Sequence, residues 1–110
     1  MERDEVYLRH IRDAIAAIEE YAGSVTFEAF SESRLLKDGV IRELEIIGEA
    51  TKSLSSAFKD RHPEVPWRDI AGMRDKLIHE YFGVDAEAVW NTVKSDLPKL
   101  KEQIDTLLRR

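Results

Sequence analysis

Apolar residues recur at alternating intervals of four and three along most of this 110-residue chain. That spacing places them on one face of an α-helix, because the helix turns once in 3.6 residues. The pattern predicts three long amphipathic helices. Their apolar faces comprise Tyr7, Ile11, Ala14, Ile18 and Tyr21 in the first, Leu36, Val40, Leu44, Ile47, Thr51, Leu54 and Phe58 in the second, and Val89, Val93, Leu97, Leu100, Ile104 and Leu107 in the third.

The boundaries of the first two helices follow from capping and breaking residues. Asp4 is the expected N-cap of the first helix, and Gly23 is expected to end it in a left-handed conformation. Residues 24–33 form a connector that packs Phe27 and Phe30 on the core. The segment 59–66, with two prolines, is the expected loop after the second helix.

Shorter elements fill the second half of the chain. Pro66 opens a helical turn that Gly72 ends, and another helical segment runs from about residue 74 to 81, closed by Gly83. Asp85 is the expected N-cap of the last helix, with Val84 and Val89 packed as a hydrophobic staple. Within that helix Pro98 predicts a kink, since proline cannot donate a backbone hydrogen bond.

These elements predict an all-α fold, an antiparallel helical bundle of four to five helices that forms one domain over residues 1–110. The second long helix has features that its main apolar stripe does not explain. Gly48 lies in its middle, where glycine costs about 1 kcal/mol relative to alanine unless another backbone must approach closely. Leu35 and Ile46 lie outside the stripe. The helix is therefore expected to be buried on two sides, and a homodimer would supply the second.

Composition excludes several classes of protein. The chain has no cysteine, so it is neither a disulfide scaffold, nor a zinc finger, nor a thiol enzyme. No stretch approaches the 18 apolar residues of a membrane span, and the charged first residues are unlike a signal peptide, so a cytoplasmic location is expected. Seventeen basic against 22 acidic residues give a net charge of −5. That balance argues against a broad basic face for nucleic acid.

The negative charge is concentrated at one end of the chain. Residues 1–30 hold three basic and seven acidic residues, which accounts for −4 of the total of −5. An acidic domain can still hold a phosphate elsewhere, because exposed charges more than about 10 Å apart are largely screened at physiological salt. A narrow cleft between two subunits, with modest general affinity for RNA, is therefore expected.

One short segment concentrates residues suited to chemistry. Arg74, His79 and Tyr81 bring a guanidinium, an imidazole and a phenol within eight residues. Imidazole exchanges protons near neutral pH, and the guanidinium fork matches phosphate oxygens. Together they suffice to help a ribose 2′-hydroxyl attack its own phosphate without metal. Neither a glycine-rich phosphate loop nor a metal-ligand spacing occurs in the chain, so neither a metal nor a cofactor is expected.

Helix geometry separates these three groups. On an ideal helix Arg74 and His79 point about 140° apart, and His79 and Tyr81 about 200° apart. Either Arg74 starts its helix and reaches over, or Tyr81 lies past the frayed helix end. A cleft between two copies of the chain would also bring the groups together.

The motif and its surroundings resemble a known family. Arg74-x4-His79-x-Tyr81 is similar to the Arg-x4-6-His signature of the HEPN ribonucleases, and the appended tyrosine is typical of their HepT-like toxin branch. The similarity extends over nearly the whole chain. It includes Ile46-Ile47-Gly48-Glu49-Ala50, Pro66-Trp67-x-x-Ile70-x-Gly72-Met73, Tyr81-Phe82-Gly83-Val84-Asp85, Val89-Trp90 and Asp96-Leu97-Pro98.

The resemblance implies a helical-bundle endoribonuclease that acts as the toxin of a prokaryotic type VII-like toxin–antitoxin system. Its Arg74 and His79 would be catalytic, would line a cleft shared by a homodimer, and would cut RNA without metal. Tyr81 would contact the RNA and would also be the regulatory target. The partner would be a minimal nucleotidyltransferase antitoxin that adenylylates Tyr81, using ATP and Mg²⁺ bound by the partner. AMP would add charge and bulk where RNA phosphates must enter.

Three residues have expected supporting roles. Asp75 stands where many members of this branch have asparagine, and it would orient His79 or compete with phosphate for Arg74. Arg42 and Lys76 are candidates for contacts to the RNA backbone. Two alternatives remain: a non-catalytic helical subunit that binds the nucleotidyltransferase, and a bundle that only scaffolds an assembly.

Overall fold

Helices form along the chain where the apolar spacing predicts them. The computed structural model describes the backbone of residues 3–79 and 86–109 and the side chains of residues 3–73 and 86–109. Within these ranges no strand occurs, which confirms the all-α class. The elements are α1 (Arg3–Ala22), α2 (Phe27–Glu32), α3 (Arg34–Ser53), α4 (Ser56–Arg61), α5 (Trp67–His79), α6 (Ala86–Asn91), a π-helical turn (Thr92–Asp96) and α7 (Leu97–Arg109).

The core lies between α1, α3 and α7, with α5 packed on α3. The start of α1 meets the end of α3, where Asp4 contacts Ser55, and its end meets the start of α3, where the Tyr21 ring faces Gly39. The two helices are therefore antiparallel, as the bundle prediction requires. The largest side chains that are fully buried or nearly so are Ile11, Ile15, Ile18, Phe30, Val40, Leu44, Ile47, Thr51, Val89 and Ile104.

Two ion pairs set the register of α1 against α7. Arg12 Nε lies 2.6 Å from Asp105 Oδ1, and Lys101 Nζ lies 3.1 Å from Glu19 Oε2. The residue numbers rise in one helix as they fall in the other, so this pair is antiparallel too. All four side chains are about one-third to one-half exposed. Exposed pairs contribute up to about 1 kcal/mol each, so these fix alignment more than stability.

The second long helix is shorter than predicted, because the chain breaks at Leu54. The Ser55 hydroxyl caps α4 by accepting a hydrogen bond from Phe58 N at 3.1 Å. Asp4 is not the N-cap of α1, since it lies inside the first turn. Its carboxylate instead accepts hydrogen bonds from Ser55 N and Ser55 Oγ, both at 2.8 Å. The loop before α5 is consequently 62–66 and not 59–66.

The connector 24–33 also contains a helix. Thr26 caps α2 through a 3.1 Å hydrogen bond from Ala29 N. Phe30 is fully buried, as predicted, whereas Phe27 is 36% exposed. Both rings contact Trp90, with centroids 5.2 Å and 5.8 Å from its own. Through these ring contacts α2 packs against α6 and holds it on the bundle.

The two glycines that were predicted to end helices differ in outcome. Gly23 ends α1 as predicted, but its φ is not positive, so the predicted left-handed conformation is wrong. Glycine is favoured there because an added Cβ would lie 2.4 Å from the Glu19 carbonyl oxygen. Gly72 ends nothing, since α5 runs through it without interruption from Trp67 to His79. Burial of Trp67 and Ile70 in the core offsets the helix cost of that glycine. Gly48 is buried in α3, the helix on which α5 packs.

The last predicted helix is continuous but not regular. All six residues of its predicted stripe are buried. Between α6 and α7 the chain makes a π-helical turn, in which Leu97 N donates to Thr92 O. Pro98 follows directly and has no N–H to donate, so the predicted disturbance takes the form of a wider turn. The proposed cap and staple at Asp85 and Val84, and the proposed stop at Gly83, lie outside the described residues.

The surface differs from the prediction at two apolar residues. Tyr21 is 40% exposed, although it belongs to the predicted stripe of α1. Leu35 is 83% exposed, while Ile46 is partly buried against the core. The single chain therefore leaves Leu35 uncovered, and the homodimer stays a prediction. Among the residues that the structure describes, no helix is both long and apolar enough to cross a membrane.

Candidate active site

Four of the six sequence-predicted site residues lie on one helix. Arg74, Asp75, Lys76 and His79 all belong to α5, and His79 is its last residue. Because α5 begins at Trp67, Arg74 lies in mid-helix, and the expectation that it starts a helix is wrong. Tyr81 lies outside the described residues.

The regular backbone of α5 sets the relative positions of Arg74 and His79. Five residues correspond to about 7.5 Å along the axis and about 140° around it. Arg74 occupies the helix position one turn after the buried Ile70, whereas His79 is two turns after the exposed Gly72. One copy of α5 therefore does not present both positions on one face.

The first turn of α5 is held firmly to the rest of the protein. The Trp67 indole is buried and its Nε1 donates to His62 O at 2.9 Å, while Ile70 N donates to Pro66 O at 3.1 Å. Because α5 packs on α3, the helix backbone also has a defined position at Arg74. The sequence provides this anchor through Pro66 and Trp67, which lie eight and seven residues before Arg74.

Arg42 is the one supporting residue on another helix. It lies on the exposed face of α3, the helix that packs against α5. Its side chain makes no hydrogen bond or ion pair with any residue whose side chain is described. That state is compatible with the predicted phosphate contact, which remains untested.

A groove of about 590 Å³ lies beside the site helix, between α5 on one side and the π-helical turn with the first half of α7 on the other. Residues of the π-helical turn form part of its wall, and Gly72 and Met73 form another part directly before Arg74. Sequence reasoning did not find this groove. The signals for it were Gly72 within an otherwise helical pattern and the proline that accompanies the π-helical turn. The groove is lined by Pro66, Arg68, Asp69, Ile70, Gly72, Met73, Thr92, Ser95, Asp96, Leu97, Lys99, Leu100 and Gln103.

A second, more open hollow lies at the junction of α4 and α5. It has a volume of about 570 Å³ and includes Lys52, Lys59 and Arg68 in its lining. Arg68 thus stands between the two depressions. In the part of the chain that the structure describes, no three His, Cys, Asp or Glu side chains are grouped so as to hold a metal ion.

Comparison with known proteins points to one family. The sequence model described as "Ribonuclease HepT-like" matches residues 11–107, a range that contains all of α5 and the groove. A protein of Thermococcus cleftensis named "Probable ribonuclease HepT" is 52% identical over 101 residues, which cover 92% of each chain. No solved structure matches the chain significantly.

Further relatives have similar names. A "Putative RNase" of Caldanaerobacter subterraneus subsp. tengcongensis is 42% identical over 110 residues, covering 100% of this chain and 98% of that protein. A protein of Methanocaldococcus jannaschii named "Gamma-glutamylcyclotransferase and putative RNase" is 49% identical over 100 residues. The match covers 91% of this chain but only 45% of that longer protein.

Proposed function

Because the chain belongs to the HepT-like ribonuclease family, we propose that it is an endoribonuclease that cleaves RNA without a bound metal. The observation that carries the proposal is the placement of Arg74 and His79 on one well-anchored helix inside the matched region. This pair combines a proton-transfer group with a fixed positive charge. Both are needed at a phosphodiester that is attacked by its neighbouring hydroxyl.

The proposed reaction is an internal transfer at phosphorus. The imidazole of His79 accepts the proton of the ribose 2′-hydroxyl as O2′ attacks the adjacent phosphorus. The P–O5′ bond breaks, and the leaving O5′ takes up a proton. The products are a 2′,3′-cyclic phosphate and a 5′-hydroxyl end. The guanidinium of Arg74 stabilises the negative charge on the non-bridging oxygens in the transition state.

A cleft between two subunits brings Arg74 and His79 to the same phosphate. Within one copy of α5 their positions are about 140° apart around the axis, so a phosphate bound at one of them does not face the other. In a symmetric dimer, residues of both copies face a common axis. Arg74 and His79 from both chains then line one cleft, and Arg42 and Lys76 contact the phosphates on either side of the scissile bond.

Digestion of single-stranded RNA in excess EDTA tests the reaction. The purified protein is expected to cut RNA under these conditions and to leave 2′,3′-cyclic phosphate ends, because O2′ is the nucleophile. The ends are identified by their resistance to phosphatase before, but not after, acid opening of the ring. Cleavage that stops in EDTA, or fragments with 5′-phosphates, would contradict this reaction.

We also propose that a minimal nucleotidyltransferase controls the enzyme as its antitoxin by adenylylating Tyr81. Incubation with that transferase, ATP and Mg²⁺ is expected to add the mass of AMP and to abolish RNA cleavage. The Tyr81→Phe variant lacks the phenolic oxygen and is expected to gain no mass and to stay active. Loss of activity without a mass change would instead indicate inhibition by binding alone.

The non-catalytic alternative has a distinct outcome. A binding subunit would copurify with the transferase and would leave RNA intact at every protein concentration. That result would overturn the proposed activity while leaving the family membership in place.

A further inference from the structure

The groove between α5 and α7 has the composition of a ligand site. Its inner wall is apolar, with Ile70, Leu97 and Leu100 buried and Met73 partly buried. Its rim carries charged and hydroxyl side chains. Clefts of about 300–1,000 Å³ with apolar walls and a few polar groups are typical small-molecule sites, and about 590 Å³ lies within that range.

Gly72 leaves the backbone of α5 open to this groove. It is exposed, and a Cβ added there would meet nothing within 4 Å. Glycine in a helix interior costs about 1 kcal/mol relative to alanine, and no contact with the described residues explains the cost. Close approach of a ligand to the backbone is a second use of glycine in proteins.

The opposite wall is irregular in a way that widens the same groove. Thr92, Ser95 and Asp96 belong to the π-helical turn and line the groove. Single π-turns inside α-helices occur frequently at functional sites. The two interruptions of regular helix, an open glycine on α5 and a π-turn before α7, therefore face one space.

The rim provides positive charge that is not paired with any residue whose side chain the structure describes. Arg68 and Lys99 are exposed, line the groove and make no ion pair with any described residue. Lys101, two residues further along α7, is paired with Glu19 at 3.1 Å. Asp69 and Asp96 also line the groove, so its net charge is balanced. Cations beside hydrogen-bond acceptors suit a ligand that carries both a phosphate and amino or imino groups.

We infer that the groove binds one nucleotide of the single-stranded RNA substrate, next to the nucleotide that is cut. The inference deepens the proposed function and rests on it. The base lies on the apolar wall over Gly72 and directs its donors toward Asp96. The phosphate lies between Arg68 and Lys99. A volume of about 590 Å³ lies in the range of clefts that hold small molecules, so the groove accommodates a single nucleotide.

The position of the groove along α5 connects it with the reaction. Gly72 and His79 are seven residues apart, so their helix positions differ by only about 20° around the axis and by about 10.5 Å along it. That distance is somewhat longer than the span of one extended nucleotide. A strand that lies along this face of α5 therefore passes from the groove to the position of His79.

Filling the groove tests the inference. Gly72→Leu places a side chain in the space assigned to the base, and it is expected to weaken binding of a short 2′-O-methyl RNA at least about tenfold. This probe lacks the attacking hydroxyl and is not cut, so fluorescence anisotropy reports binding alone. The matched control is Ala16→Leu, an exposed position on α1 outside the groove, which is expected to bind like wild type.

Stability measurements keep this test independent of folding. Gly72→Leu replaces glycine at an exposed helical position, so it is expected to unfold at the same temperature as wild type or higher. A variant that is stable and binds RNA like wild type would overturn the inference. The same holds if binding of the nucleotidyltransferase, and not of RNA, is lost.

The charge on the rim is tested separately through salt dependence. Lys99→Met is expected to weaken RNA binding and to lower the slope of log K against log salt by about 0.7, the value for one phosphate on a single strand. Lys101→Met, on the same helix but paired with Glu19, is expected to leave the slope unchanged. Equal slopes for both variants would remove Lys99 from the site.

The result can be separated from a failure of the proposed function. If wild type cuts RNA but the Gly72 and Lys99 variants bind and cut equally well, the groove has no role and the activity stands. If wild type binds the probe in the groove without cutting unmodified RNA, the site stands and the proposed activity fails.

Discussion

Replacing His79 with alanine is expected to slow RNA cleavage about 10²–10⁴-fold, the usual contribution of a proton-transfer group. The loss should appear in kcat, because imidazole acts while the 2′-hydroxyl is being deprotonated and not while RNA binds. The affinity for the 2′-O-methyl RNA should stay within about twofold of wild type. Single-turnover cleavage of a labelled RNA, with enzyme in excess, measures the rate of the chemical step directly.

The matched control for this prediction is His10→Ala. His10 is exposed on α1, where its ring packs edge-on against Tyr7 at 5.8 Å, far along the chain from the site helix. The His10→Ala substitution also removes an imidazole, as His79→Ala does, but it should leave cleavage unchanged. If both histidine variants cleave at the wild-type rate, His79 is not the proton-transfer group.

Replacing Phe30 with alanine is expected to lower the free energy of unfolding by about 3–5 kcal/mol. The ring is fully buried and contacts Trp90, so its removal leaves a cavity between α2 and α6 as well as losing apolar burial. This is a large part of the stability of a small domain, which is about 5–15 kcal/mol. Urea unfolding followed by tryptophan fluorescence reports the change, since Trp90 lies at the altered contact.

Phe27 provides the control, because it undergoes the same chemical change three residues away. It also contacts Trp90 but is 36% exposed, so Phe27→Ala is expected to cost only about 1 kcal/mol. Equal losses at the two positions would mean that α2 is held by its contact with Trp90 and not by burial of Phe30.

The long-range architecture was predictable because it rests on burial with a clear period. The stripe of the last helix, from Val89 to Leu107, is buried throughout although a π-turn interrupts it. These apolar residues stay on the same face of the helix because their tertiary packing outweighs the local irregularity. The all-α class and the antiparallel order of α1, α3 and α7 follow from the same patterns.

Local breaks were harder to predict because they depend on partners distant in sequence. Ser55 caps α4, but it does so with Asp4, 51 residues away, holding its hydroxyl and its backbone N–H. The sequence around Ser55 indicates neither its distant partner Asp4 nor the end of α3 at Leu54. The prediction at Gly72 failed for the opposite reason. Glycine is a local helix-breaking signal, but the burial of Trp67 and Ile70 stabilises α5 so that the helix continues through Gly72.

The candidate site also has one part that was predictable from the sequence and one part that was not. The motif identified α5 and the order of Arg74 and His79, because both depend on residue type and spacing. The groove beside them depends on how α7 passes α5, and a single sequence does not contain that distance. Only the irregularities that accompany it, Gly72 and Pro98, were visible beforehand.

The charge of α1 has a consequence for the kinetics of encounter. Asp13 and Glu20 are exposed on its outer face, seven residues apart, whereas Glu19 and Arg12 are paired with α7. A polyanion that diffuses toward this outer face meets more repulsion than one that approaches the groove, where the charges of Arg68 and Lys99 balance those of Asp69 and Asp96. The charge on α1 therefore selects among directions of approach, as in other electrostatically steered associations. Because the Debye length falls to about 8 Å at physiological salt, this selection operates over short distances only, and it fades as salt increases.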